Sequence, residues 1–230
     1  MVERPWPVCP HGAAPMDLSV ADQTITLLSY VGTAVFAVSG GLTAARRGMD
    51  LFGFVVIAMV TGTGGGTLRD VLLGIGPVTW VRDPSFLIVA AVAGAVTFFG
   101  APLLERLDVP RRGVLVWADA VGLAIFAVSG TQVAMTFDVP AISAVPLGVL
   151  TAVGGGVLRD LLSDTMPLIL HKDLYATAAV IGSITLLALD RVGVEPVTGT
   201  IVATLVGFGV RAYGILSGWS LPRYRQPDLR

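Results

Sequence analysis

The chain contains the stretch Gly64-Gly65-Gly66-Thr67-Leu68-Arg69-Asp70. Ninety positions later a nearly identical stretch follows, Gly154-Gly155-Gly156-Val157-Leu158-Arg159-Asp160. Each copy lies inside an apolar run long enough to cross a membrane, where lipid offers no replacement hydrogen bonds to a loosened backbone. Three consecutive glycines weaken a helix by about 1 kcal/mol each relative to alanine. An Arg-Asp pair one turn later places charge where charge is costly. The duplicated pattern therefore predicts a pore or transport path rather than inert packing.

The composition indicates a membrane protein. Of the 230 residues, 54% are hydrophobic and 13% are charged, and the mean hydropathy is +0.80. Ordinary soluble domains carry about 25% charged residues. The formal net charge is -1 and there is no basic patch, so nucleic-acid binding is not expected. In such a chain the position of each charge along the sequence is more informative than the total.

Apolar runs of about 20 residues predict an all-α membrane protein with seven transmembrane helices. We place them at 23–45, 51–74, 85–104, 114–135, 141–164, 173–190 and 196–213. Residues 1–22 contain four prolines and lack the order of a signal peptide, so they predict a flexible tail. Residues 215–230 predict a second tail.

The ninety-residue offset extends beyond the glycine motif. Phe36-Ala37-Val38-Ser39-Gly40 recurs as Phe126-Ala127-Val128-Ser129-Gly130. An internal duplication explains this, with a first three-helix repeat over 23–110, a second over 111–192, and an unpaired seventh helix over 193–214. Because three crossings are an odd number, the second copy begins on the opposite membrane face. The two repeats are therefore predicted to be inverted.

Basic residues outside the two motifs are distributed unequally between the two sides of the membrane. The three on the N-terminal side are Arg4, Arg82 and Arg191. The ten on the other side are Arg46, Arg47, Arg106, Arg111, Arg112, Lys172, Arg211, Arg223, Arg225 and Arg230. The positive-inside rule then predicts a multi-pass protein of the cell (inner) membrane with its N-terminus outside and its C-terminal tail cytoplasmic.

The glycine triplets are expected to loosen the second and fifth helices. They begin about 20 Å along each helix, somewhat past the bilayer midplane. Unwinding or kinking there would present backbone groups to an ion or substrate, as at the interface of inverted repeats. The alternative is that the glycines only allow close helix contact. Ser39 and Ser129, near the ends of the first and fourth helices, either line a polar route or bond to the backbone.

The motif arginines are expected to find partners on other segments. Arg69 lies toward the outer end of the second helix and Arg159 toward the inner end of the fifth. Adjacent positions on a helix do not face each other, so neither Asp70 nor Asp160 is expected to neutralise the arginine before it.

Asp119 is the candidate partner for Arg159. It lies five residues into the fourth helix, at a similar depth on the cytoplasmic side. We therefore predict an Asp119–Arg159 ion pair that acts as a cytoplasmic latch. The equivalent position in the first repeat is Ser29, so the two ends of the pathway are expected to behave differently.

Enzyme chemistry has little support in the sequence. There is no His or Cys cluster for a metal, and the glycine motif lacks the Gly-Lys-Ser/Thr ending of a phosphate-binding loop. Cys9 and His11 lie in the tail, and His171 is predicted in a loop at the membrane surface. No enzyme activity, catalytic residue, metal site or cofactor is therefore predicted.

The two GGGxLRD motifs, the seven spans and the three-plus-three duplication resemble the TRIC family of trimeric intracellular cation channels over about residues 23–213. The prokaryotic members, which are the most similar, are often labelled as a glycine-transporter-like domain. The resemblance implies a homotrimer with a pore in each subunit, kinked second and fifth helices, and monovalent cations, chiefly K+, as permeant ions. Animal members carry a Lys-Glu-Val signature and a basic lipid-binding run, which this chain lacks, so that form of lipid regulation is not expected.

Three functional hypotheses follow from these patterns. The first is a K+ channel gated near the glycine-broken second and fifth helices, in contact with membrane lipids. The second is an alternating-access carrier for a small neutral solute such as glycine, which inverted repeats serve equally well. The third is a scaffold whose glycines only pack. The predicted pore and gating residues are Gly64, Gly65, Gly66, Arg69, Asp70, Gly154, Gly155, Gly156, Arg159, Asp160, Asp119, Ser39 and Ser129.

Overall fold

The structure is a computed structural model that describes residues 20–106, 110–170 and 174–218. The predicted tails therefore lie almost entirely outside the described residues, as do Cys9, His11 and His171. Within the described ranges every regular element is helical. This confirms the expected all-helical architecture.

Seven long helices form the body of the described chain. They are α1 (Val20–Arg46), α2 (Leu51–Leu72), α3 (Ser85–Arg106), α4 (Arg111–Thr136), α5 (Ala141–Leu162), α6 (Ala176–Arg191) and α7 (Pro196–Ser217). Two short elements, the helix Thr79–Arg82 and the 3-10 turn Leu168–Leu170, follow α2 and α5. Each predicted span overlaps one of the long helices.

Six of the long helices, all except α6, are long and apolar enough to cross a membrane. A multi-pass membrane protein is thereby confirmed. The sixth helix has 16 residues, which at 1.5 Å per residue is about 24 Å against a hydrocarbon core of about 30 Å. Its status as a full crossing stays a prediction.

The predicted boundaries differ from those observed by a few residues at most helix ends, and two of these differences concern the predicted tails. Helix α1 begins at Val20, inside the tail predicted over 1–22, and no proline or glycine separates this residue from the apolar run that follows. Helix α7 continues to Ser217, past the predicted end at 214. It ends at Gly218, whose φ of 64° provides the left-handed conformation typical of a helix C-terminus.

The ends of corresponding helices share one backbone conformation. Gly48 after α1 and Asp138 after α4 have φ values of 64° and 53°. Gly74 after α2 and Asp164 after α5 have φ values of 67° and 48°. Aspartate is one of the few residues other than glycine that adopts this region readily. The sequence repeat is therefore also a repeat of local structure.

Helices α1, α2 and α3 pack on one another, and so do α4, α5 and α6. The two groups meet chiefly through α1 against α4 and α2 against α5, and α7 packs on α4 and α6. Corresponding helices of the two repeats are thus the ones that touch across the middle of the molecule.

The contact between α1 and α4 is reciprocal. Phe36 fills the space beside Gly122, while Phe126, ninety positions after Phe36, lies beside Gly32. The two phenyl rings are 5.3 Å apart between centroids and belong to the largest buried apolar cluster of the described residues. Contacts that repeat with the partners exchanged are those expected across a two-fold axis.

Candidate functional site

The glycine triplets lie in unbroken helix. Both Gly64–Gly66 and Gly154–Gly156 have α-helical backbone throughout, inside α2 and α5. The expectation that the second and fifth helices are broken at these glycines is therefore wrong, whereas a kink within continuous helix stays a prediction.

The triplets instead mark the point where α2 and α5 cross. A Cβ atom at Gly65 would overlap the carbonyl oxygen of Thr151, and one at Gly155 would overlap the carbonyl oxygen of Thr61. These four positions also pair at an offset of ninety, so this contact too is reciprocal. The backbone of one helix packs directly on the backbone of the other, as small residues allow in membrane proteins. That packing compensates for the low helix propensity of glycine, which is why the helices stay intact.

The third glycine of each triplet faces polar groups rather than the crossing. A Cβ at Gly66 would have its nearest described neighbour at 3.8 Å, the Nη2 atom of Arg69. A Cβ at Gly156 would lie 3.2 Å from the hydroxyl oxygen of Tyr175, 3.6 Å from Nη2 of Arg159 and 3.7 Å from Oδ1 of Asp119. Each triplet therefore joins a packing surface to a buried charged cluster.

At the end of α2 the cluster is a single ion pair. Arg69 donates from Nε and Nη2 to Oδ1 of Asp70, at 2.9 and 2.6 Å. The other carboxylate oxygen of Asp70 accepts from the backbone N–H and the hydroxyl of Thr79, at 2.8 and 2.7 Å. Both charged side chains are less than a tenth exposed. The pair thus ties the end of α2 to the short helix that follows.

The end of α5 has the same arrangement. Arg159 donates from Nε to Oδ1 of Asp160 at 2.8 Å, and Oδ2 of Asp160 accepts from the backbone N–H of Leu168 at 3.0 Å. The prediction that each arginine would not pair with the aspartate after it is therefore wrong. Neighbouring Cβ atoms do diverge on a helix, but the arginine side chain is long enough to turn back. Burial favours this because an unpaired buried charge is costly.

Arg159 also reaches two other helices. Its Nη1 atom donates to Oδ1 of Asp119 on α4 at 2.7 Å and to the hydroxyl of Ser39 on α1. Both side chains of the ion pair are at most 1% exposed. The predicted contact between Asp119 and Arg159 is present, whereas its action as a latch stays a prediction.

The two ends differ in their contacts, and the repeat is not perfectly symmetric. Ser29, at the position equivalent to Asp119, donates to the backbone carbonyl of Ile25 at 2.8 Å. Ser129, equivalent to Ser39, is 3% exposed, and its hydroxyl has no hydrogen-bond partner within the described ranges.

The buried charged and polar residues around Arg159 at the end of α5 form the second cluster. Sequence reasoning missed two of its members, Tyr175 and Arg211. Tyr175 is 1% exposed and Arg211 is 3% exposed. The guanidinium carbon of Arg211 lies 5.0 Å from the centre of the Tyr175 ring, within the range of a cation–π interaction. Arg211 was assigned only to the cytoplasmic charges that set topology, although an arginine inside the apolar run of α7 was a signal of function. Nothing in the sequence marked Tyr175.

A cavity of about 460 Å³ opens beside the second cluster. Its wall includes Arg46 and Arg47 from the end of α1, Arg159 and Asp160 from the end of α5, and apolar residues from the start of α4. In the predicted orientation this is the cytoplasmic end of the protein. The cavity therefore reaches the edge of this cluster, although Arg159 and Asp160 are only 0% and 5% exposed.

The sequence matches a family model described as "Glycine transporter" twice, over residues 26–102 and 116–191. Among the similar proteins is the UPF0126 inner membrane protein YadS of Escherichia coli, strain K12, which is 46% identical over 157 residues, 68% of this chain and 74% of that protein. The UPF0126 membrane protein YvgT of Bacillus subtilis is 34% identical over 198 residues, 85% of this chain and 94% of that protein.

Solved structures with the same fold are those of cation channels. A TRIC trimeric intracellular cation channel orthologue from Rhodobacter sphaeroides superposes with a TM-score of 0.80 and 39% sequence identity, covering 86% of this chain and all of that one. A second, from a study of conductance through TRIC cation channels, has a TM-score of 0.78 and 36% identity, covering 88% of this chain and 98% of that one.

Alanine at the crossing tests the packing of the two helices. We expect Gly65→Ala and Gly155→Ala each to destabilise the protein by about 1–3 kcal/mol, because the new methyl group meets a backbone carbonyl and forces the helices apart. Thermal melting of the purified protein in detergent measures this. Gly66→Ala is the matched control and should melt at or slightly above the wild-type temperature. Equal melting of the Gly65 and Gly66 variants would refute the close crossing.

Charge reversal tests the buried ion pair. We expect Asp119→Arg and Arg159→Asp each to cost on the order of 3–5 kcal/mol, since each leaves buried charge without its partner. The double variant should recover part of that loss in the same melting assay. Ser29→Ala, at the equivalent position of the first repeat, serves as a control with little effect. A double variant no more stable than the worse single one would show that the pair does not matter.

Proposed function

This chain belongs to the family of TRIC channels, the trimeric intracellular cation channels, and from that premise we propose that it is a K+ channel with a pore inside each subunit. The observation that carries the proposal is the buried charged cluster of Arg159, Asp160 and Asp119, which opens onto a cavity of about 460 Å³. Charged side chains are buried among membrane helices at a high energetic cost, so they mark pathways for ions or substrates. The similarity to solved TRIC cation channels supports the same reading.

The pathway follows the interface between two inverted repeats, residues 23–110 and 111–192. Corresponding helices meet there, and the contacts at Phe36 and Phe126 and at the glycine crossing are reciprocal. An odd number of crossings in each repeat makes the relation an inversion, with the two-fold axis in the membrane plane. Both halves then contribute equivalent groups to one route through the middle of a subunit.

The glycine crossing is the gate in this proposal. Backbone contact between Gly65 and Thr151, and between Gly155 and Thr61, leaves no room for an ion at that point. Opening requires α2 and α5 to separate. The flanking members of the gate are the charged and polar side chains Arg69, Asp70, Arg159, Asp160, Ser39 and Ser129.

Cation preference is compatible with the buried arginines because each has an acid beside it. Asp70 neutralises Arg69, and Asp160 and Asp119 together offset Arg159. Separation of α2 and α5 would also expose the carbonyl oxygens that now pack on the glycines. Carbonyl oxygens are the ligands by which many pores replace the water around K+.

The assembly that we propose is a homotrimer in the inner membrane, with the N-terminus outside and the C-terminus cytoplasmic. The named relatives support the homotrimer and the inner membrane, since one is an inner membrane protein and a solved structure is of a trimeric channel. The orientation of the termini is proposed from the distribution of basic residues. Exposed apolar side chains follow one face of α3 at helical spacing, and we assign that face to lipid or to a neighbouring subunit. They are Ile88, Val92, Val96, Phe99 and Leu103.

A second candidate function is an alternating-access carrier for a small neutral solute such as glycine. The description of the matching family model favours it. Inverted repeats with a site near the midplane suit a carrier as well as a channel.

Recording from purified protein in a planar bilayer separates the two candidates. We expect single-channel currents in symmetric KCl and, in a KCl gradient, a reversal potential displaced toward the K+ equilibrium potential. Such currents arise because an open pore passes many ions per opening. Saturable, counterflow-competent uptake of glycine into vesicles without unitary currents would contradict the channel and support the carrier.

Native mass spectrometry in detergent tests the assembly. The chain has a mass of 23.9 kDa, and we expect the intact species to have three times that mass. A monomer or dimer as the sole intact species would contradict the homotrimer. The proposal of a pore within each subunit would then depend on the bilayer recordings alone.

A further inference from the structure

Two buried charges of the second cluster have no counterpart in the first repeat. Asp119 stands where the first repeat has Ser29. Arg211 lies on α7, which belongs to neither repeat. Their exposed fractions are 0% and 3%, so neither charge is neutralised by bulk water.

Tyr175 lies between these two charges. Its ring faces the guanidinium carbon of Arg211 at 5.0 Å. Its hydroxyl lies beside Gly156, where the nearest other groups are Nη2 of Arg159 and Oδ1 of Asp119. The side chains of Asp119, Arg159, Tyr175 and Arg211 therefore form one connected group, which α4, α5, α7 and the residue preceding α6 build together.

The charges of this group balance only when Arg211 is counted. Arg159 alone faces two acids, Asp119 and Asp160, which leaves one excess negative charge. Arg211 supplies the missing positive charge, because a guanidinium stays protonated in proteins. At the other end, Arg69 and Asp70 balance without help.

Hydrogen bonding within the group is incomplete in the described part of the chain. Oδ2 of Asp119, Nη2 of Arg159 and Nε of Arg211 are buried and have no hydrogen-bond partner there. Buried polar atoms are normally satisfied by protein or by ordered water. Arg211 thus contributes its charge to the group while its Nε atom has no hydrogen-bond partner among the described residues.

We propose that Arg211 is a charge-setting residue of the pathway, which offsets Asp119 and so limits how strongly the cytoplasmic end prefers cations over anions. Tyr175 positions its guanidinium. The inference rests on the proposed conduction. In a water-poor site one unbalanced charge changes the local concentration of ions of each sign by a large factor, so neutralising either partner alone should shift selectivity in opposite directions.

Reversal potentials in a KCl gradient test this with matched variants of the full chain. We expect Arg211→Gln to raise the K+ to Cl⁻ permeability ratio by roughly threefold to tenfold, and Asp119→Asn to lower it by a similar factor. The double variant should return to the wild-type ratio. Arg211→Lys, which keeps the charge, should stay close to wild type. Arg191→Gln removes an exposed arginine at the end of α6 and should leave the ratio unchanged.

An Arg211→Gln ratio equal to that of wild type and of Arg191→Gln would overturn the inference. Melting temperatures of the same variants provide a readout that does not depend on conduction. If the wild type carries no current, the proposed function fails. The charge balance then stands only if Arg211→Gln and Asp119→Asn each melt at a lower temperature than wild type and the double variant regains part of that loss. A double variant that melts at or below the less stable single variant would overturn the balance, whether or not the protein conducts. If Arg211→Gln cannot be purified, Asp119→Asn decides the case, because a K+ to Cl⁻ permeability ratio equal to that of wild type would overturn the inference.

Discussion

The close approach of α2 and α5 is the constraint on which the rest of the molecule depends. At Gly65 and Gly155 each helix packs on a backbone carbonyl of the other, and no larger residue fits there. Because the two contacts are equivalent by the internal repeat, they hold the two halves in one relative position. That position sets where the Arg-Asp pair of each motif lies, one turn beyond the crossing. The charged clusters and the cavity beside one of them are consequences of a contact between two backbones.

Burial of charge is the second organising principle, and it follows from the first. An arginine carried into a crowded membrane interior has to find an acid within the protein, because lipid cannot solvate it. Arg69 and Arg159 both find the aspartate that follows them, and this local pair also fixes the short element after each helix. The pairs are therefore structural supports as well as charged elements of the proposed pathway. In the proposed pathway a permeating cation would meet balanced charge rather than bare arginine.

The charged clusters at the ends of α2 and α5 differ in their buried charges because the two repeats are not identical in sequence. Asp119 and Arg211 add one charge of each sign to the second cluster only, and Arg159 reaches across to Ser39 of the first repeat. The cavity at this end lies beside that cluster. Two halves that share a sequence repeat thus become unequal in electrostatics through a few substitutions and one added helix. This difference in charge is compatible with either a passive channel or a carrier.

The sequence by itself determined the helical architecture, the approximate limits of the long helices and the internal duplication, because apolar run length and a fixed offset are local properties of the chain. It also pointed to Asp119 as a partner for Arg159, since both lie at a similar depth. Only the tertiary structure decided that the triplets cross rather than break, because the strength of a glycine-rich helix depends on the backbone packed against it. The pairing of each arginine with its neighbour depended likewise on rotamers selected by burial. Tyr175 and Arg211 joined the cluster through the packing of α7 on α4 and α6, a long-range contact that no local pattern encodes.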